Sequence, residues 1–413
     1  MRCLQIPVAG TKAVTVLVLC KVGSRHENRK INGASHFIEH LMFKGTAKRP
    51  TTLDISREFD SVGAEYNAAT SKDWTGYFAK VSRRHLDLAL DLLSDMIWNS
   101  KFDEQEFTRE KGVITEEIHM YEDNPMSHVE NLLEEVMYPA NTLGWNIAGT
   151  AKIIKNLKHG DLVRFHEEFY EPDNMLVAVA GSLPTKTNVL AQKYFGARPA
   201  KTKRPSPGFE KFKGFTSHPK PRCNIQYKKT EQVNLALGFP GLAYEAEGLP
   251  ALQVLNVIIG ATMSSRLFIA VREREGLAYY VRSAVESYED TGIFEIRAGL
   301  DMTRFGKAVE IIKFELGQMV KHGPTREEMA RAKEFIRGKL ELSLEDSAQQ
   351  AEFYARQMLL MKKIKTPEQR LGEVLRVRRA DVLRAARKCF NFKRMGLAAI
   401  GPFRDKNQII KYF

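Results

Sequence analysis

Cysteine is scarce in this chain. The 413 residues hold four, at Cys3, Cys20, Cys223 and Cys389, scattered and without a C-x-x-C pair. That pattern excludes a disulfide framework and a cysteine-built metal knot, and points to free thiols in a reducing compartment. Long apolar runs are missing too, so no segment is expected to span a bilayer. The stretch from Ala13 to Cys20 is the nearest approach, preceded by Arg2 and Lys12. It is short, rich in β-branched residues, interrupted by Thr15 and followed at once by Lys21, with no small-x-small cleavage site. We read it as a buried strand and not as a signal peptide, and expect a cytoplasmic protein.

What is present is the composition of a globular protein, 43% hydrophobic and 27% charged. The length is too great for one ordinary core and suits two domains of about 200 residues each. The net charge of +13 is uneven: residues 1–200 carry −2, 201–222 carry +6 and 223–413 carry +9. A basic second half serves solubility, or draws in anionic peptides or nucleic acid; no nucleic-acid motif accompanies it, so nucleic acid is not expected as a partner.

The order of elements repeats. The first half reads as a strand (12–22), helices near 33–44 and 52–62, a hairpin over 65–81, helices near 84–98, 103–121, 126–136 and 159–169, and a closing strand at 175–180. Residues 197–222 hold Pro199, Pro205, Pro207, Pro219 and Pro221 among lysines and glycines, which reads as an extended linker. The second half repeats the plan with a strand at 233–239, a helix near 248–259, a hairpin over 278–301, a helix at 303–321 and a closing strand at 395–401. The expected fold is α+β: two homologous domains, each an antiparallel sheet with helices packed on one side. The boundaries are 1–200, a linker at 201–222, and 223–413.

The chemistry concentrates in His36-Phe37-Ile38-Glu39-His40, an H-x-x-E-H motif. On a helix His36 and His40 lie one above the other, a spacing that lets two imidazoles converge on one zinc ion. Glu39, one turn from His36, sits close enough to take a proton from a bound water without being a ligand. The second half has Ile258-Ile259-Gly260-Ala261-Thr262-Met263 at the matching place and cannot hold metal. A third ligand is available on the helix opened by Asp103, with Glu106 placed to complete a capping box. There Glu110 and Glu117 are seven residues apart and share a face, beside the apolar stripe of Phe107, Ile114 and Ile118. Glu116 sits about 100° away from Glu117 around that helix and points elsewhere.

H-x-x-E-H followed by 76 residues and then Glu117 resembles the signature of the pitrilysin/insulinase zinc metallopeptidases, the inverzincins. The run from His36 to Thr46, H-F-I-E-H-L-M-F-K-G-T, is similar to the branch that holds single-chain bacterial members and the mitochondrial processing peptidases. The resemblance covers almost the whole chain. It implies Zn²⁺ held by His36, His40 and Glu117, with Glu39 as general base and Glu110 steadying the site from behind. It also implies that Arg272 and Tyr279, an Arg and a Tyr seven residues apart, complete the site from the second domain and hold the charge that develops on the attacked carbonyl. The edge Tyr66-Asn67-Ala68-Ala69-Thr70 resembles the family's substrate strand, to which an extended peptide adds through backbone hydrogen bonds. The implied activity is hydrolysis of internal bonds in extended or unfolded peptides. The implied assembly is a homodimer, or a heterodimer with a related subunit. The alternative is a non-catalytic partner or scaffold subunit of a processing-peptidase-like complex, such as occurs among relatives whose zinc residues have decayed.

Overall fold

The computed structural model describes residues 1–196 and 208–413. The first part of the expected linker, 197–207, lies outside the described residues, and the chain from 208 to 221 forms neither helix nor strand. The first half runs β1 (Arg2–Pro7), β2 (Ala13–Cys20), α1 (Ala34–Leu41), α2 (Thr52–Asp60), β3 (Glu65–Thr70), β4 (Thr75–Ser82), α3 (Leu86–Asn99), α4 (Glu104–Asp123), α5 (Pro125–Met137), α6 (Ala151–Asn156), α7 (His159–Phe169), β5 (Met175–Gly181) and α8 (Thr187–Ala191). The second runs β6 (Arg222–Tyr227), β7 (Gln232–Pro240), α9 (Leu249–Asn256), β8 (Ala278–Ser287), β9 (Gly292–Asp301), α10 (Phe305–His322), α11 (Arg326–Ser343), α12 (Ser347–Leu360), α13 (Pro367–Arg376), α14 (Arg379–Cys389), β10 (Gly396–Gly401) and α15 (Asn407–Ile410). All four cysteines are free thiols, and no described helix is long and apolar enough to cross a membrane.

The two sheets share one plan. Their strand orders are β1-β5-β2-β4-β3 and β6-β10-β7-β9-β8, and each second order is the first rewritten position by position. The α+β architecture in two copies is therefore present, with two differences from expectation. Each sheet is mixed, because β1 lies parallel to β5 and β6 parallel to β10. Both of these edge strands carry polar residues and too little alternation to be seen in the sequence. The second difference is that each sheet is covered on both faces, which explains why β2 and β5 read as near-continuous apolar runs: nearly every position in them is buried.

In one compact unit, Val14, Val16 and Val18 of β2 face a core built with Phe37 and Ile38 of α1 and Leu90 and Leu93 of α3. The other face of β2 and β5 is covered by α12, a helix from the second half of the sequence. Thr15 Oγ1 and Ser347 Oγ meet there at 2.8 Å. In the other unit, α9, α10 and α14 cover one face of the sheet. Its opposite face, with Ala236, Ile293, Ala398 and Ile400, receives Val129, Leu132, Leu133 and Met137 of α5, a helix from the first half. Glycine in the strands allows that approach: a Cβ at Gly396 would meet Met137 Sδ at 2.6 Å. The compact units are accordingly Met1–His119 with Trp145–Glu210 and Glu341–Lys365, and Met120–Gly144 with Lys211–Leu340 and Thr366–Phe413. Each takes one helix from the half of the sequence that builds the other.

Ala351 on α12 is fully buried. Ala351→Glu places a charge against the first sheet and is expected to cost more than about 3 kcal/mol. Hydrogen exchange should then show lost protection in β2 and β5, more than 150 residues away in sequence, before any loss in β7 and β10.

Candidate metal centre

Helix α1 is amphipathic by necessity. Phe37, Ile38 and Leu41 are buried in the core, which turns His36, Glu39 and His40 to the half-buried face. Its start is fixed by a buried carboxylate: Glu27 accepts hydrogen bonds from the Gly33 and Ser35 backbone N–H groups, each at 2.7 Å, and from Asn32 Nδ2 at 3.0 Å. Gly33 itself has φ +99°, and a Cβ there would meet the Ala148 carbonyl oxygen at 2.7 Å, so only glycine fits. Burial pushes the Glu27 carboxyl up to about 7, against those three donors.

Helix α4 brings the distant carboxylates. Asp103 Oδ1 accepts from the Gln105 and Glu106 N–H groups at 2.9 and 3.1 Å and so starts the helix as expected. Glu106 turns instead to Arg109, at 2.6 Å. The Phe37 and Phe107 rings, 5.0 Å apart, pack α1 against α4. Glu117 Oε2 then lies 3.7 Å from His36 Nε2 and 3.5 Å from His40 Nε2. One donor atom from each of the three residues falls within 4.8 Å of the others, the sole such cluster among the described residues. Neighbouring donors of a tetrahedral zinc site stand about 3.4 Å apart, given metal–ligand distances of about 2.0–2.1 Å. Two imidazoles and one carboxylate at these separations fit that ion and leave a fourth position open.

Glu110 stands behind His40. Its Oε2 is 3.0 Å from His40 Nδ1, and its side chain is 1% exposed. A carboxylate accepting from Nδ1–H leaves the lone pair on Nε2, the nitrogen that faces Glu117. His36 has no such support: its Nδ1 is buried with no hydrogen-bond partner among the described residues. The two histidines consequently diverge. Burial, reinforced by the neighbouring His40, takes His36 down to about 4. Burial also works against a proton on His40, but hydrogen bonds to Glu110 and Glu117 outweigh it and push that pKa up to about 9. Glu117 is held below the usual carboxylate range chiefly by its hydrogen bond to His40.

Glu39 is turned to the same face, and its Oε2 accepts from Thr70 Oγ1 at the end of β3. Burial raises its pKa, with Thr70 and His40 acting in the opposite direction. Glu116 is exposed and pairs with His119 at 3.6 Å, away from the cluster. Thr70, expected only as part of a substrate strand, and Lys44, given no role by the sequence, both touch this cluster. Thr70 ends the hairpin strand, and Lys44 places Nζ 2.6 Å from Glu110 Oε1. The available signal for Lys44 was its position four residues after His40, one turn along the same face.

Arg272 and Tyr279 belong to the other unit. The Arg272 guanidinium lies 4.9 Å from the Phe268 ring. The chain then turns tightly, with Gly276 N–H donating to the Arg272 carbonyl at 3.0 Å, and enters β8. A register shift against β9 between Ala278 and Tyr280 sets Tyr279 apart from the ladder, and its side chain is 74% exposed.

Comparison with known proteins gives a consistent picture. The family model described as Insulinase (Peptidase family M16) matches residues 5–151, and the one described as Peptidase M16 inactive domain matches 156–336. The uncharacterized zinc protease YmxG of Bacillus subtilis is 38% identical over 95% of this chain and 93% of its own length. An uncharacterized zinc protease of Streptomyces coelicolor is 35% identical over 98% of this chain and 88% of its own. Among solved structures, a protease from Helicobacter pylori matches with a TM-score of 0.89 at 24% identity, over 97% of this chain and 96% of that one. A likeness at that identity speaks for the fold alone.

A zinc ion bound through His40 would have to displace the proton that Glu110 and Glu117 favour there, so zinc affinity is expected to fall as pH is lowered. Competition with a chelating dye measures this. Glu117→Ala should lose the metal at concentrations where the unaltered chain retains it, read by atomic absorption.

Proposed function

The chain belongs to the insulinase family, peptidase family M16, and from that premise we propose that it is a zinc-dependent endopeptidase acting on extended or unfolded peptides. The observation that carries this reading is the convergence of His36, His40 and Glu117, with Glu39 on the same face. A zinc ion held by His36, His40 and Glu117 would supply Lewis-acid polarisation of a carbonyl and a water of near-neutral pKa. Glu39 takes the water's proton and returns it to the leaving amine, a task suited to a carboxyl whose pKa burial has raised. Thr70 holds one oxygen of that carboxyl and leaves the other to the substrate side.

Substrate selection follows from β3. Among the described residues it is an edge strand, paired only with β4, and an added strand would take up its other edge, displacing the bond that Ala68 N–H now makes to Asn67 Oδ1 at 2.9 Å. An extended peptide added there runs along an edge that ends at Thr70, the residue bonded to the general base. Such binding reads main chain before side chain, so it tolerates many sequences and selects for chains able to extend. Pairing of two such chains, alike or related, belongs to the same proposal. A purely scaffolding subunit is disfavoured, since it has no need of a general base beside three converging donors.

Glu39→Gln leaves every donor of the metal cluster in place. It is expected to keep the bound zinc and to lose cleavage of an unfolded peptide by about 10²–10⁴-fold. Unchanged cleavage by this variant would overturn the mechanism. Chelation should abolish the activity of the unaltered chain, and added zinc should restore it.

A further inference from the structure

We propose that Lys44 is a positioning residue of the metal centre, acting through Glu110 on His40. The inference rests on the zinc reading above and concerns how that site is held, not what it cleaves.

The geometry is a relay of three side chains. Lys44 Nζ lies 2.6 Å from Glu110 Oε1, and Glu110 Oε2 lies 3.0 Å from His40 Nδ1. The carboxylate is thus gripped at both oxygens, one by an ammonium and one by an imidazole. Its burial matters here, because at 1% exposure water does not readily supply the partner that Lys44 provides. A buried carboxylate oxygen without a donor is costly, and a carboxylate with one free oxygen can rotate about its terminal torsion. Lys44 removes both problems and fixes the plane from which Oε2 meets His40 Nδ1. The ring orientation of His40 follows, and with it the direction of the Nε2 lone pair.

The backbone is built to deliver this lysine. The turn that follows α1 continues with Phe43 N–H donating to the His40 carbonyl at 3.2 Å and Lys44 N–H to Leu41 at 3.0 Å. The next residues are tied down in turn, with Thr46 N–H donating to the Arg49 carbonyl at 2.7 Å and Thr46 Oγ1 to Asp95 at 2.6 Å. Lys44 therefore rises from a fixed main chain, one turn beyond the ligand it supports. One nine-residue stretch supplies two ligands, the base and the far end of the support.

The test measures zinc affinity by chelator competition, with no peptide present, in Lys44→Met, Lys44→Arg, Glu110→Gln and the double variant Lys44→Met/Glu110→Gln. Methionine keeps the apolar stem and removes the charge. Lys44→Met is expected to weaken zinc binding by about 10–100-fold, the range seen when support behind a ligand histidine is lost. Lys44→Arg should restore most of the affinity, and the double variant should bind no more weakly than Glu110→Gln alone, since the two residues act in series. Unaltered affinity in Lys44→Met, or single effects that multiply in the double variant, overturns the proposal. Should Lys44→Met fail to fold, Lys44→Gln in the same cycle decides on the same criteria. A chain that binds zinc with this pattern and cleaves no peptide would sink the peptidase reading and leave Lys44 in its role. A chain that binds no zinc sinks both.

Discussion

The metal centre depends on α1 lying against α4. The side chains of the cluster come from segments separated by 76 residues, and no local preference of either helix brings them together. What does is apolar packing: the Phe37 and Phe107 rings, with Ile38, Leu41, Ile114 and Ile118 buried in the same core. The polar faces are then juxtaposed as a consequence. His36, His40 and Glu117 meet because the residues beside them on each helix cannot remain in water. Charge alone would not do it, since two imidazoles, the Glu39 and Glu117 carboxyls and the buried Glu110 lose hydration on approach and must recover it from each other. The divergence of His36 and His40 shows how unequal that recovery is: one ring has a buried carboxylate at its back and the other has none.

The exchange of helices adds a constraint of a different kind. The first sheet has two apolar faces, but the first half of the sequence keeps helices for only one of them and sends α5 to the second sheet. Helix α12 returns the favour from the far end of the chain. Neither sheet is fully covered until both halves are present, so the zinc-bearing unit cannot reach its full stability from its own half of the sequence. The long separation between Thr15 and Ser347, which bond at 2.8 Å, expresses that dependence in a single contact.

The sequence made some of this legible and hid the rest, for physical reasons. Helical spacing announced His36, Glu39 and His40, because a 3.6-residue period is visible in four or five letters. Strands β8 and β9 fall within the hairpin read over 278–301, since two strand-forming runs either side of a short polar turn leave little freedom. Strands β1 and β6 went unseen: an edge strand lying parallel to its neighbour carries polar residues and needs no hydrophobic period. Of the exchanged helices, α5 was read as a helix but not placed, because an amphipathic face does not say which of two similar sheets it covers, and α12 was not read at all. Asp103 capped α4 as expected, whereas Glu106 found Arg109 a better partner than its own backbone. Lys44 and Thr70 stood in plain view within the quoted motifs. Their roles depend on Glu110 and Glu39 in three dimensions, and spacing along the chain does not carry that information.

The second copy of the fold shows what the first had to give up. Where α1 turns two histidines and a glutamate outward, the matching stretch of the second copy buries Ile258 and Ile259, and Gly260 packs so closely that a Cβ would meet Ser283 Oγ at 2.6 Å. That arrangement stabilises the sheet and leaves no room for chemistry. The same strand order thus supports two different uses of one position: a close-packed apolar contact, or a polar face held open by Glu27 at its start, Glu110 behind it and Lys44 beyond its end. Keeping the polar face costs buried apolar area and requires ionised groups to be satisfied without water. The first copy meets that requirement by pairing: a buried carboxylate takes the helix N-terminus, a second takes His40 and Lys44, and the hydroxyl of the strand edge takes Glu39. Function here is a local departure from the packing that the rest of the fold repeats, and each departing side chain has an identifiable partner that makes it tolerable, His36 at its Nε2 only.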